Sequence, residues 1–219
     1  MNIFAKVISY LFHPLFIISY VLGIIMVVNP YLFGVQDPKM MGLILISTFL
    51  LAAFFPLVSI SMMRALGLIK NFKLEDRQER IGPLIVTAIF YLWLFLNIKD
   101  NPGIPDAFSF FVLGAIIGLF IAFFLNNFQK ISLHGVAMGG FLTGIAIIGM
   151  VFSYGSFVVK IPSLGSFTID ITLMYILALL VAGLVLSSRL HLQAHTKDEV
   201  YGGFFVGAIS QVLAFIIFI

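Results

Sequence analysis

Long apolar runs separated by short polar breaks dominate the 219-residue chain. Seven runs, at roughly 12–28, 41–62, 83–98, 107–125, 135–153, 169–187 and 201–219, approach the ~20 residues an α-helix needs to cross a bilayer. In hydrocarbon every backbone N–H and C=O must be satisfied within the segment, so the runs predict helices and call for no strands. The expected fold is all-α, a polytopic transmembrane helical bundle of about six or seven spans. It forms one integral membrane domain over 1–219 and leaves no room for a soluble one. The breaks NPYLFGVQDPK at 29–39, NIKDNPGIPD at 97–106 and VVKIPSLGSFTID at 158–170 combine proline, glycine and aspartate as hairpin loops do.

Composition sharpens this reading. Hydrophobic residues make up 62% of the chain and charged ones 10%, with a mean hydropathy of +1.17; soluble domains are roughly half apolar and a quarter charged. The lipid bilayer is therefore the first partner. There is no cysteine, which excludes disulfides and thiolate metal sites. The net charge of +3 is spread over the loops without a basic run that would track a phosphodiester backbone, so no nucleic-acid partner is expected. At the amino end, MNIFAKVISYLFHPLF places one lysine before an apolar run with no small-residue cleavage site, which predicts a first span that is retained. Glycines recur in GGFLTGIAIIG at 139–149 and GGFFVG at 202–207, a pattern that lets membrane helices approach closely.

Alternating span directions put the loops at 63–82, 126–134 and 188–200 on one face together with the amino end. That face holds Lys6, Arg64, Lys70, Lys73, Arg77, Arg80, Lys130, Arg189 and Lys197 with His134, His191 and His195, and His13 lies near it. The other face has Lys39, Lys99 and Lys160.

Three polar stretches on the crowded face carry candidate chemistry. In IKNFKLEDRQERIGP at 69–83, six residues separate Lys73 from Arg80; a charge run there serves equally as an interfacial anchor. In QKISLHG at 129–135, Lys130, Ser132 and His134 lead into an apolar span, where amides at a helix start and nearby cations favour an anion. In SRLHLQAHTKDEV at 188–200, His195 precedes Asp198 by three residues and Glu199 by four. If the last helix starts here, either carboxylate can share a face with the imidazole and fix its tautomer. The opposite ring nitrogen then becomes a nucleophile or a base. Arg189 supplies a planar fork suited to phosphate oxygens. Cations, two separate histidines and a carboxylate at headgroup depth are what phosphoryl transfer requires.

These residues resemble the signatures of the type 2 phosphatidic acid phosphatase superfamily. Ser188-Arg189, five residues, His195 and then three residues to an acid is similar to its third signature, serine-arginine-x5-histidine-x3-aspartate. Lys73-x6-Arg80 has the spacing of the first, lysine-x6-arginine-proline, and Ser132-Leu133-His134 resembles the second, proline-serine-glycine-histidine. The signatures keep their order over 73–199, more than half the chain. There are departures. Arg80 is followed by Ile81-Gly82-Pro83, Ile131 and Leu133 stand where proline and glycine are usual, and Glu199 replaces aspartate. The spacing favours Glu199 as the orienting acid over Asp198.

The resemblance implies an integral membrane lipid phosphatase that needs no metal or other cofactor. His195 would attack phosphorus to form a phosphohistidine, Glu199 would orient it, and His134 would protonate the departing oxygen. Lys73, Arg80, Ser132 and Arg189 would bind phosphate, with Lys130 as an added cation. The substrate would be a lipid phosphomonoester or diphosphate, such as phosphatidate, phosphatidylglycerol phosphate or a polyprenyl diphosphate, in a bacterial cytoplasmic (inner) membrane. The side is open. Nine lysines and arginines against three make the crowded face cytoplasmic, whereas bacterial members of that family often act on the outer face.

Two other readings stand beside this one. His191, His195 and Glu199, spaced four and four residues, would line one helix face in a way compatible with a metal. Histidine-box oxygenases use many histidines, however, and this chain has four. A non-catalytic lipid-phosphate binder or transporter would use the same cations and need neither His134 nor His195.

Overall fold

The structure is a computed structural model that describes residues 2–34, 37–74, 76–161 and 165–218, without the side chains of Lys160 and Ile161. The centres of two expected turns, 35–36 and 162–164, and Ile219 of the last expected span lie outside the described residues. The molecule is an all-α polytopic bundle. Six helical stretches are long and apolar enough to cross a membrane, or seven if one bent pair counts as a single span.

That bent pair lies where the first span was expected. Helix α1 (Asn2–Leu11) meets α2 (Pro14–Val28) at 62°. The break follows from His13-Pro14: proline at the first helical position tolerates its missing N–H, but its ring keeps the preceding residue out of helical geometry. His13 is accordingly extended, at φ −64° and ψ 140°. Next, α3 (Pro38–Phe49) and α4 (Phe55–Ala65) form one 28-residue span through a π-helical segment, Leu50–Phe54. Pro56 has no N–H to give the fourth carbonyl back, and the wider turn carries the Phe55 N–H to Leu50 O. The bundle continues with α5 (Ile81–Ile98), α6 (Asp106–Asn126), α7 (Leu133–Val151), α8 (Ile171–His191) and α9 (Lys197–Phe218).

One expectation fails. Strands were not called for, yet β1 (Ser156–Ile161) and β2 (Gly165–Asp170) form an antiparallel hairpin between α7 and α8, with Ser156 opposite Asp170 and Ile161 opposite Gly165. The segment lies between spans, where water can satisfy strand edges, and its Val158, Val159, Thr168 and Ile169 are β-branched. Asp170 then caps α8, its Oδ1 accepting the Thr172 N–H at 2.8 Å.

The core is built from α2, α6, α7 and α9 around the fully buried Phe108, Phe110, Phe111, Met138 and Ile145. Its tightest seam joins α7 to α9, backbone against backbone. A methyl added at Gly139 would overlap the Phe204 carbonyl, and one at Gly207 would overlap that of Val136. Both helices begin at the polar end, so this seam fixes how their first residues face each other.

Candidate functional site

Three loops meet at that end, and main-chain carbonyls hold them together. Arg77 donates Nη1 to Phe128 O at 2.5 Å, and its own carbonyl accepts Asn126 Nδ2 at 2.8 Å. Arg80 donates Nε to Leu74 O and Nη1 to Ile131 O, both at 2.8 Å. These bonds tie the α4–α5 loop to the α6–α7 turn. That turn is in turn tied to the start of α9: Lys130 Nζ donates to Ala194 O at 3.4 Å, and the Ser132 N–H donates to Glu199 O at 3.1 Å.

His195 sits where these ties converge. Helix α8 unwinds after His191 through Gln193, whose φ of +50° is left-handed, and α9 starts two residues past His195. Thr196 Oγ1 accepts the Glu199 N–H at 3.3 Å. Threonine followed three residues later by glutamate has the spacing of a capping box, in which the carboxylate turns back to the cap. Here Glu199 Oε2 instead meets His195 Nδ1 at 2.6 Å. Asp198, the other sequence alternative, is exposed. With a carboxylate on Nδ1, that nitrogen carries the proton and Nε2 keeps its lone pair. The His195 side chain is 5% exposed. Burial, reinforced by Arg80, Arg189 and Lys130 and opposed by Glu199, lowers its pKa from 6.5 to about 4, so the imidazole is neutral at pH 7.

The cations around it lack carboxylate partners. Among the described residues the ion pairs are Lys70–Glu79, Lys99–Asp100 and His195–Glu199, and none includes Arg80, Lys130 or Arg189. Arg80 is 5% exposed. The Nε of Arg189 is buried with no hydrogen-bond partner. Arg189 acts electrostatically on His13, His134, His195 and Arg80, which places it at the middle of the group. Unpaired cations held this deep are costly unless an anion offsets them.

The chain has no match among family models, curated proteins or solved structures. What the site can do therefore rests on its own geometry.

His134 is the second residue of α7. Ser132 caps that helix, its hydroxyl accepting the Gly135 N–H at 3.2 Å, and is itself fully buried. His134 donates Nε2–H to the carbonyl of Ser9 in α1 at 3.0 Å. The imidazole of His13 stands edge-on to it, with ring centroids 5.5 Å apart at 85°. His13 also caps α2, Nδ1 accepting the Leu15 N–H at 3.4 Å. Lys73 is exposed on its loop, where Asn71 Oδ1 accepts its backbone N–H at 2.8 Å.

The metal alternative required one continuous helix face. His191 ends α8 and is exposed, while His195 lies in the turn before α9, so with Glu199 they do not line one face. Among the described residues no group of three histidines or carboxylates is placed to hold a metal ion. Sequence reasoning put His13 near this face without giving it a role, and passed over the Ser9 carbonyl and Tyr10, which acts electrostatically on Arg189. The signal for His13 was the dipeptide His13-Pro14, which marks a helix boundary and turns the imidazole out of the spanning pattern.

Proposed function

We propose that the chain is a membrane phosphatase that removes phosphate from a lipid through a phosphohistidine on His195, as the three signatures imply. One observation carries this reading: Arg80 and Arg189, both without carboxylate partners, lie beside a buried His195 whose Nδ1 is held by Glu199. The guanidinium groups, with Lys130, offset the charge on the phosphoryl oxygens. His195 Nε2 attacks phosphorus, and the bond from phosphorus to the ester oxygen breaks. His134 gives that oxygen a proton. Water then attacks phosphorus, surrendering a proton to His134, the P–N bond breaks, and inorganic phosphate leaves. With Nε2–H committed to Ser9, both transfers pass through Nδ1 of His134.

The Ser9 contact also favours a second reading, a lipid-phosphate binder, because it satisfies His134 without any role in proton transfer. Release of phosphate by the detergent-solubilised protein from a panel of lipid phosphates in excess chelator separates the two. The phosphatase releases phosphate, and His195→Ala abolishes the release while lipid binding remains. A folded wild type that binds these lipids and releases nothing is a binder.

A further inference from the structure

A groove of about 420 Å³ runs between the carboxyl end of α6 and the amino end of α9, within the ~300–1,000 Å³ usual for ligand sites. Its chemistry changes along its length. Lys130 and Glu199, the two residues that flank His195, line one part, and Leu125, Gly202 and Val206 line another. Glu199, Gly202 and Val206 recur at three and four residues on one face of α9. From the first to the last the groove descends about 10 Å along the helix axis, at 1.5 Å per residue. On the two helices that bound it, Phe124 of α6 and Phe205 of α9 are 62% and 61% exposed. Gly202 leaves it clear, since a methyl built there meets nothing within 4 Å.

We infer that this groove seats one hydrocarbon chain of the lipid phosphate on which the site acts. The inference rests on the phosphatase reading for its chemistry, but the chain seat is a separate claim. Beyond its polar end, lined by Gln129, Lys130, Thr196, Asp198 and Glu199, the groove offers a hydrocarbon chain the surfaces of Leu125, Gly202 and Val206. At the polar end Lys130 attracts the phosphate, Glu199 is engaged by His195 and the exposed carboxylate of Asp198 repels it, so the headgroup is directed inward past Lys130 while the chain lies along Gly202 and Val206. The glycine is thus a specificity determinant, because any side chain at 202 occupies the space of the chain without displacing protein atoms.

The test uses the full-length protein in detergent, with Gly202→Leu and Val206→Trp beside the wild type. A lipid phosphate carrying a photoactivatable diazirine in its chain should cross-link to peptides containing Leu125 and Val206, and both variants should weaken that cross-link. The ratio of kcat/KM for hexadecyl over butyl phosphate should fall roughly tenfold in each variant, the scale of a lost apolar contact. Cross-links confined to other helices, or an unchanged chain-length ratio in two folded variants, overturn the chain seat. Cross-linking in the groove by a wild type that releases no phosphate keeps the seat and removes the phosphatase reading.

Discussion

Each end of the bundle carries a recess of about 420 Å³, but their charges behave differently. At the end formed by the α5–α6 loop, Lys99 and Asp100 pair at 3.1 Å with side chains 39% and 81% exposed. No histidine lines that recess. At the other end Arg80 and Arg189 are drawn inward without carboxylate ion-pair partners, and Glu199 is engaged by His195. Volume therefore does not identify a site here. What distinguishes the two ends is whether cations are solvated and self-neutralised or buried and left for a ligand to neutralise.

Substitutions at the two ends sharpen that contrast. His195→Ala should lower phosphate release by roughly 10³-fold or more, as removal of a nucleophile does, and abolish the base-stable phosphoenzyme that the proposed mechanism predicts after an alkaline quench. Glu199→Gln, which keeps the shape but loses the charge that holds Nδ1–H, should cost on the order of 10²-fold in kcat with little change in KM. Gly139→Ala, which forces α7 from α9, should destabilise by about 1–3 kcal/mol, read as a lower midpoint of thermal unfolding in detergent. Gly183→Ala, where a methyl meets nothing within 4 Å, should not lower it.

The pH dependence should also separate the ends. The folded pKa of His195, about 4, lies below its ordinary 6.5, so between these values the unfolded chain takes up a proton that the folded one does not. Stability should fall as pH drops through that window and level off below it. The slope should be shallower by one proton in His195→Gln. The acid limb of kcat/KM should lie near pH 4, and a limb near 6.5 would contradict the buried, Arg-flanked setting. The smallest effect belongs to the opposite end: Lys99→Ala should change stability by no more than about 0.5 kcal/mol and leave phosphate release unchanged.

The parts of this molecule that were legible in the sequence are those governed by local rules. Apolar runs gave α5 to α9 to within a few residues, and counting span directions brought the loops bearing Arg80, His134 and His195 to one face. The four-residue spacing from His195 to Glu199 gave their contact. Other features arise from contacts distant in sequence or from backbone detail. The ring contact of His13 with His134 spans 121 residues. The Ser9 carbonyl leaves no mark in the sequence, because every residue has one. The π-helical turn needed Pro56 to be read together with the carbonyls it orphans, and the hairpin between α7 and α8 was hidden by treating every segment by the rules of the hydrocarbon layer.

The stitching of the three loops has an evolutionary side. Leu74, Phe128, Ile131, Ala194 and Glu199 each contribute a main-chain oxygen to it. Selection acting on those bonds does not see the side chains at Leu74, Phe128, Ile131 and Ala194, which they leave free to drift, whereas Glu199 is also held by its contact with His195. The scaffold can then diverge widely while the arginines, the lysine and the histidines that it presents stay in place, so descent in such a protein is recorded in a few scattered letters and in the path of its backbone.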